Sequence, residues 1–361
     1  MILKINDRYH NRVVDFFTNF QLNLKYDSVG STFSFDFYFN PDNPDHKEMA
    51  CVSHFHDVTI EHEGELLLTG VLTQQPFSAG TTKRLASFGG YSRTGVLEDC
   101  SIPPEVYPLQ SDGLSLTQIT QKVIRPFRPI INLVVDSDVS ARANGAFKTN
   151  TARGTETVKS YLSEIANQKK IIISHTNKGE LLLTEAKTES QPIMDFDLTT
   201  GTYPGYDFSM DFNGQAMHSH ITVLKQADID GGNAGQETIR NPYVVGSVYR
   251  PLVINQSSGN DNDTDSAVKQ ALAKELRNIK LTIEIKNFQL KDNKAIKPNT
   301  TITIFAPELY IFKKTKFFIH EVNYRGTPSE TTAVLHCMLP EVFNGKTPVS
   351  IYKDINVHNR V

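Results

Sequence analysis

The chain has 361 residues, enough for roughly two to four compact units with real cores. Its formal net charge of −3 at pH 7 gives no overall basic bias toward nucleic acid or an anionic membrane. The three cysteines, Cys51, Cys100 and Cys337, stand far apart, which argues against a disulfide framework and a cysteine-based zinc site. They are expected as small buried hydrophobes in a reducing compartment. Trp is absent against 21 Phe, so the cores are expected to use Phe, Leu, Ile and Val. Met1-Ile2-Leu3-Lys4 is followed by Asp7, Arg8 and His10, unlike a signal peptide, and no window has bilayer-spanning apolar length.

The first unit, residues 1–98, reads as β. Phe16 to Leu24 settles into period-two alternation, and Phe33-Ser34-Phe35-Asp36-Phe37-Tyr38-Phe39 repeats it more cleanly. Asn40-Pro41-Asp42-Asn43-Pro44-Asp45 stops the second strand, because proline cannot donate to a ladder. Val58–Ile60 and Leu66–Leu72 form a hairpin around Glu63-Gly64, and Arg84–Phe88 is a further strand. Short strands at this spacing predict a small barrel or sandwich.

The stretch Gly89–Ile102, GGYSRTGVLEDCSI, joins this unit to one of a different kind, 99–190, read as α/β. Leu114-Ser115-Leu116-Thr117-Gln118-Ile119 spells a capping box on Ser115 and Gln118, with Leu114 and Ile119 as hydrophobic staple. The helix near 115–124 ends at Pro126, Ile130–Val135 follows as a strand, and the polar 137–154 is expected to be an exposed loop. Val158, Tyr161, Leu162, Ile165 and Ala166 make one helical stripe, and Ile171–Ser174 with Leu181–Thr184 make a hairpin around Asn177-Lys178-Gly179. Gly64-Glu65-Leu66-Leu67-Leu68-Thr69 recurs letter for letter at Gly179–Thr184. The flanks differ, so both copies read as second strands of hairpins that converge on the same turn chemistry.

A second β unit is expected at 191–254 and 281–345, interrupted by an acidic loop and helix at 255–280 and followed by a tail, 346–361. Ser219–Leu224 is a strand, Asp230–Gly235 a loop, and 255–263 too hydrophilic to pack. Ala267, Val268, Ala271, Leu272, Leu276 and Ile279 share a helix face, and strands resume at 281–285, 301–305, 316–324 and 333–339. The fold class is therefore mixed β with α+β insertions: two small β units, expected as barrels, flanking an α/β domain.

Candidate chemistry is thin. His54 and His56, with His62 nearby, place two imidazoles on one face of a possible strand, a geometry zinc can use, but no third ligand stands at matching spacing. His218-Ser219-His220 is weaker. Asp261-x-Asp263-x-Asp265 opens like a calcium loop, but Ser266 and Leu272 occupy the positions that need Gly and Glu. Gly89-Gly90 and Gly231-Gly232 lack the lysine of a phosphate loop, and no Gly-x-Ser-x-Gly elbow occurs. Glu61 and Glu63 read as solvated strand residues, and Lys313-Lys314-x-Lys316 as a hairpin tip. The chain reads as non-catalytic, with no catalytic, cofactor-binding or metal-binding residue assigned. A metal-dependent hydrolase or carbohydrate-binding tail module using His54 and His56 stays as the alternative from another class.

The order of elements, with several phrases, resembles the baseplate hub protein of bacteriophage Mu and Mu-like prophages. The phrases are the strand pair ending in Phe33–Phe39, the hairpin Glu65–Leu72, and Gly90-Tyr91-Ser92-Arg93-Thr94-Gly95-Val96-Leu97-Glu98-Asp99-Cys100-Ser101. Arg250-Pro251-Leu252-Val253-Ile254, the acidic loop, the Ala267–Lys280 helix and Lys297-Pro298-Asn299-Thr300 complete them. The resemblance implies a homotrimeric hub of a contractile tail, without cofactor, in which two barrels per subunit make a ring of pseudo-six-fold symmetry. Its implied partners are the tail tube, other baseplate proteins and a trimeric membrane-piercing spike, with DNA passing through the channel unbound. It implies a virion protein made in the bacterial cytoplasm without stable membrane insertion. The hub of a tailocin or type VI-like spike is the neighbouring alternative.

Overall fold

The computed structural model describes residues 1–6, 11–14, 16–80, 84–107, 112–128, 130–147, 156–226, 233–246, 248–256, 264–286 and 294–353. The chain divides into two compact units. One comprises Met1–Glu185, Ile285–Pro298 and Glu321–Val334; the other comprises Ala186–Glu284, Asn299–His320 and Leu335–Val361.

The first unit begins with β1 (Ile2–Asn6), β2 (Asn11–Val14), β3 (Phe17–Lys25), β4 (Thr32–Tyr38), α1 (Pro44–Met49), β5 (Asp57–His62), β6 (Glu65–Gln74), β7 (Phe77–Ala79) and β8 (Arg84–Ser92). Residues 321–326 pair with β3, and the ladder runs on through β4, β8, β6, β5 and β1 to β2, every pairing antiparallel. Alternation in β4 buries Phe33, Phe35 and Phe37 on one side, where Phe37 packs on Phe88 at a ring distance of 4.5 Å and Phe35 on Phe20 at 5.8 Å. No pairing among the described residues joins the two ends of this ladder into a closed barrel.

Two readings change here. The Pro-rich stop after β4 is a helix start: Pro44 sits in the first turn of α1 and the Asn43 side chain accepts from Asp45 N at 2.9 Å. Strand β8 does not end at Phe88 but runs through Gly89-Gly90 to Ser92. A Cβ on Gly90 would lie 2.0 Å from the carbonyl oxygen of Val71 and 2.8 Å from the Phe33 ring. The glycine is there because β6 and β4 occupy the space a side chain needs, not because the chain turns.

The unit continues with α2 (Val96–Asp99), α3 (Leu116–Ile124), β9 (Leu133–Val135), α4 (Ser137–Ala143), α5 (Val158–Gln168), β10 (Ile172–His175) and β11 (Leu181–Thr184). A small sheet has the order β10-β11-β9, with β9 parallel to β11. Both bonds of the capping box form: Gln118 N donates to Ser115 Oγ at 3.3 Å, and Ser115 N to Gln118 Oε1 at 2.9 Å. All five stripe residues of α5 are buried in one core with Leu116, Ile119 and Val123 of α3 and Leu181 and Leu183 of β11. The stretch 137–154 is not all loop. Residues 137–143 form α4, with Val139 and Ala143 fully buried, and 148–154 fall outside the described residues. The sequence shows few apolar residues there because a short helix touching the core on two positions needs only two.

The second unit holds β12 (Pro192–Asp197), β13 (Tyr206–Phe212), β14 (His220–Gln226), β15 (Asn233–Arg240), β16 (Pro251–Gln256), α6 (Thr264–Leu276), β17 (Ile279–Lys286), β18 (Thr300–Ala306), β19 (Ile311–Gly326), β20 (Thr331–Met338) and α7 (Glu341–Asn344). Strands β17, β19 and β20 each give their other ends to the first unit. Neighbours run β13-β17-β20-β19-β18, with β12 parallel to β18. A separate sheet, β15-β14-β16, packs one face on α6. Ile221 and Val223 of β14 and Val268 and Leu272 of α6 are at most 1% exposed there.

Further readings are corrected in this unit. Helix α6 stops at Leu276, and Ile279 and Lys280 belong to β17. Asn233–Gly235 are part of β15, while 230–232 and most of the polar run 255–263 lie outside the described residues. Lys313, Lys314 and Lys316 sit within β19 rather than at a hairpin tip; the turn is made earlier, at 307–310, where Tyr310 takes φ +62°. Residues 346–352, read as tail, are held: the Tyr243 hydroxyl donates to Val349 O at 3.4 Å, and Ser350 is buried. Cys337 is buried as expected, but Cys51 and Cys100 are only half-buried. No helix among the described residues is long and apolar enough to cross a membrane.

Candidate functional site

The structure scatters the imidazoles. Residues 51–56 form an irregular loop, not a strand, with Ser53 at φ +69° and Phe55 at φ +47°. The alternation that would align His54 with His56 is therefore lost: their rings meet edge-on at 5.3 Å, with His54 Nε2 3.5 Å from Cys51 Sγ. His62 is on β5, after that loop. Among the described residues no three His, Cys, Asp or Glu side chains group to hold a metal ion. Asp261, Asp263, Gly231 and Gly232 lie outside the described residues; Asp265 sits in the first turn of α6 and pairs with Lys269 at 2.7 Å. Glu61 pairs with Lys4 at 2.6 Å, and Glu63 makes the β5–β6 turn at φ +47° ahead of Gly64 at φ +82°. Lys314 pairs with Asp195, and Lys316 Nζ donates to the carbonyl of Ser190 at 3.3 Å. These lysines serve β12 and its approach.

The stretch that the sequence singles out, 89–102, instead forms a polar joint. Ser92 Oγ donates to Val29 O at 2.7 Å, Thr94 Oγ1 donates to the same oxygen at 2.6 Å, and Ser31 N donates to Ser92 Oγ at 3.2 Å. Ser31, Ser92 and Thr94 are at most 1% exposed, so each of these bonds replaces one that water would otherwise make. His175 of β10 reaches the same place, its Nε2 2.7 Å from Ser31 Oγ. Glu98 adds a surface tie, receiving Lys159 Nζ at 2.6 Å and the Ser28 hydroxyl at 3.3 Å. Tyr91 hydrogen-bonds Asp99; burial first, then that carboxylate, pushes its phenol up to about 12. A Cβ on Gly95 would meet the Tyr91 ring at 2.5 Å, which explains the glycine. The motif thus locks the β3–β4 turn, the end of β8 and the start of the α/β domain. The Ser92 and Thr94 hydroxyls are both spent on the Val29 carbonyl.

A second polar knot lies in the other unit. Glu275, 7% exposed near the end of α6, accepts from His218 N at 2.9 Å, His218 Nδ1 at 2.6 Å and Asn241 Nδ2 at 3.2 Å. Asn241 Oδ1 in turn accepts from Tyr243 N at 3.0 Å. Next to it Ser219 Oγ accepts from Arg250 N at 2.8 Å, and the Arg250 guanidinium donates to the carbonyls of Gly214 at 2.9 Å and Gln215 at 2.7 Å. His218 and Arg250-Pro251 therefore fasten α6 and β16 to β14. Sequence reasoning noticed these residues without a role, and Glu275 was missed, because a lone Glu in an amphipathic helix carries no sign of burial.

Exposed large apolar side chains include Val245, Val248 and Tyr249 before β16, Val52 and Phe55 in the loop after α1, and Val349. Exposed apolar groups of this size suit contact with other chains better than they suit chemistry.

Residues 94–185, the α/β domain with its entry motif, match the family model for "Baseplate hub protein gp44-like, second domain". The whole chain shares its fold with the 43 kDa tail protein of prophage MuSo2 from Shewanella oneidensis. That likeness has 18% identity and a TM-score of 0.76, and covers 95% of this chain and 99% of that one. The tail protein from Neisseria meningitidis MC58 is similar at 18% identity and a TM-score of 0.75, covering 95% and 97%. The E. coli c3393 protein, described as a component of the type VI secretion system, is similar at 10% identity and a TM-score of 0.54, covering 96% and 79%. No curated protein sequence matches. Residues 94–185 are thus similar to a gp44-like baseplate hub second domain, and the chain shares the fold of these two tail proteins.

Proposed function

We propose that the protein is the structural, non-catalytic baseplate hub of a contractile phage tail. Three copies form a ring, each giving two β units, so that three-fold symmetry below meets six-fold symmetry above. The ring joins the tail tube to the membrane-piercing spike, leaves a channel through which DNA passes, and sits in the virion. The observation that carries this reading is the hub-family match at 94–185 inside a fold that covers 95% of the chain in a prophage tail protein. A net charge of −3 suits a conduit that must not retain DNA. Mass in solution tests it. A trimer with ring-shaped particles supports the hub, and a stable monomer at high concentration overturns it.

The likeness to the type VI protein supports a second reading, the hub of a related injection device. The genes beside this one separate the two. Tail-tube, sheath and capsid genes favour the phage, whereas sheath and spike genes without capsid genes favour the device.

A further inference from the structure

The joint at 89–102 contains one group that titrates near neutral pH, and its surroundings dictate which form it takes. His175 Nδ1 lies 3.1 Å from Thr176 O, which can only accept, so Nδ1 carries a proton. Nε2 lies 2.7 Å from Ser31 Oγ. Ser31 Oγ accepts Lys25 N at 3.0 Å, and with Nδ1 carrying the proton of the neutral ring, Nε2 is the acceptor for the serine proton. The ring is thereby held as the neutral tautomer, donating on one side and accepting on the other. Ser31 is 1% exposed and bonded through its backbone on both sides to Ser92: its N–H to the hydroxyl at 3.2 Å, its carbonyl from Ser92 N at 2.7 Å.

We infer that His175 is a proton-sensitive clasp: protonating Nε2 makes Ser31 Oγ its acceptor, turns the buried serine proton away from the ring nitrogen that took it, sets an unpaired charge in the joint, and so loosens the β10–β11 hairpin from Ser31 and Ser92. This device is independent of the proposed assembly. The cost falls on the charged form because nothing nearby compensates it. Glu98 is held by Lys159 and Ser28, Glu180 takes the Thr176 hydroxyl at 2.9 Å, Arg93 faces Asp57 at 3.2 Å, and Lys25 faces Glu321 at 3.7 Å. Burial lowers the proton affinity of the ring and the Thr176 carbonyl partly restores it, with no charged side chain contributing. A base whose folded pKa is depressed contributes stability that is complete above its unfolded value of 6.5 and is lost as the pH falls below it. The consequence is local. The hairpin and the β3–β4 turn separate first, while the cores on either side remain.

The test measures amide hydrogen exchange at residues 28–32 and 174–178 between pH 7.5 and 5, corrected for intrinsic rates, alongside the ring titration of His175. The expected result is local opening that grows toward about tenfold per pH unit below the unfolded pKa, with the ring titrating below 6.5. In His175→Gln that dependence disappears. In Ser31→Ala, which keeps the imidazole but removes its partner, the ring titrates differently and opening is faster already at pH 7.5. A wild-type ring titrating at or above 6.5 overturns the clasp, as does the same pH dependence in wild type and His175→Gln. Should His175→Gln not fold, the wild-type titration and Ser31→Ala decide alone.

Discussion

The side-chain amide of Asn177 donates to the carbonyl of Leu66 at 3.0 Å, so the turn of one hairpin rests on a strand of another. Both partners belong to, or adjoin, the repeated hexapeptide. Gly64 and Gly179 each open a second strand, at φ +82° and +77°. The two glycines are not equivalent. A Cβ on Gly64 would meet nothing within 4 Å, whereas one on Gly179 would meet Arg93 Cβ at 2.9 Å and Thr69 O at 3.2 Å.

Gly64→Ala is therefore expected to cost about 1 kcal/mol, the price of the left-handed backbone alone. Gly179→Ala adds overpacking and is expected to cost about 2–4 kcal/mol. Urea denaturation of the two variants side by side checks the order. Equal losses would show that the second hairpin does not dock on β6.

Gly90→Ala should be worse than either, because the atoms in the way are backbone: Val71 O at 2.0 Å and its carbonyl carbon at 3.0 Å. The β6–β8 register has to shift for the methyl to fit. We expect a loss of more than about 3 kcal/mol, or insoluble protein, with Gly89→Ala far milder since its nearest neighbour is the flexible Gln74 side chain at 3.4 Å.

Glu275→Gln replaces a carboxylate that takes three donors with a group that can accept on only one oxygen. With its oxygen toward His218 N and Asn241 Nδ2, its amide faces His218 Nδ1, which must change tautomer to accept, and a charge-assisted bond is lost, an expected cost of about 1 kcal/mol. Thermal unfolding reports the loss. Hydrogen exchange localises it to α6 and to residues 218 and 241, and an unchanged exchange pattern there would remove Glu275 from the knot.

Tyr91 supplies an alkaline counterpart. Its folded pKa, about 12, lies above the ordinary phenol value of 10, so its contribution is complete below pH 10 and is lost as the pH rises through about 12. Stability of the wild type should fall more steeply over that window than that of Tyr91→Phe. Ultraviolet titration of the phenols checks the assignment, and parallel curves for the two proteins would contradict it.

The His54–His56 loop is predicted to bind no stoichiometric zinc, because two imidazoles meeting edge-on beside one half-buried thiol do not present three converging ligands. Elemental analysis of purified protein decides it. One zinc per chain, lost in His54→Ala, would revive a metal-dependent reading of this loop.

Local order was largely legible from residue patterns. Alternation of Phe33, Phe35 and Phe37 placed β4, the stripe Val158 to Ala166 placed α5, and Ser115 with Gln118 placed the start of α3. Where patterns failed, the cause was a neighbour rather than the segment itself. Helix α4 buries only Val139 and Ala143, too few to set a period, and β8 runs through two glycines because Val71 and Phe33 press on it. The joint was marked as a boundary in the sequence, but its working parts were not. Ser31 and His175 lie 144 positions apart and bear no motif in common.

Periodicity and capping act over one turn or one strand, so the chain's letters alone determined the segments with a strong pattern of their own, such as β4, α3 and α5. Which glycines are crowded, which glutamate is buried and which histidine meets which serine depend on contacts between segments far apart in sequence. Hydrogen bonds and close packing act only at contact distance, so those choices were made when the tertiary structure brought the segments together.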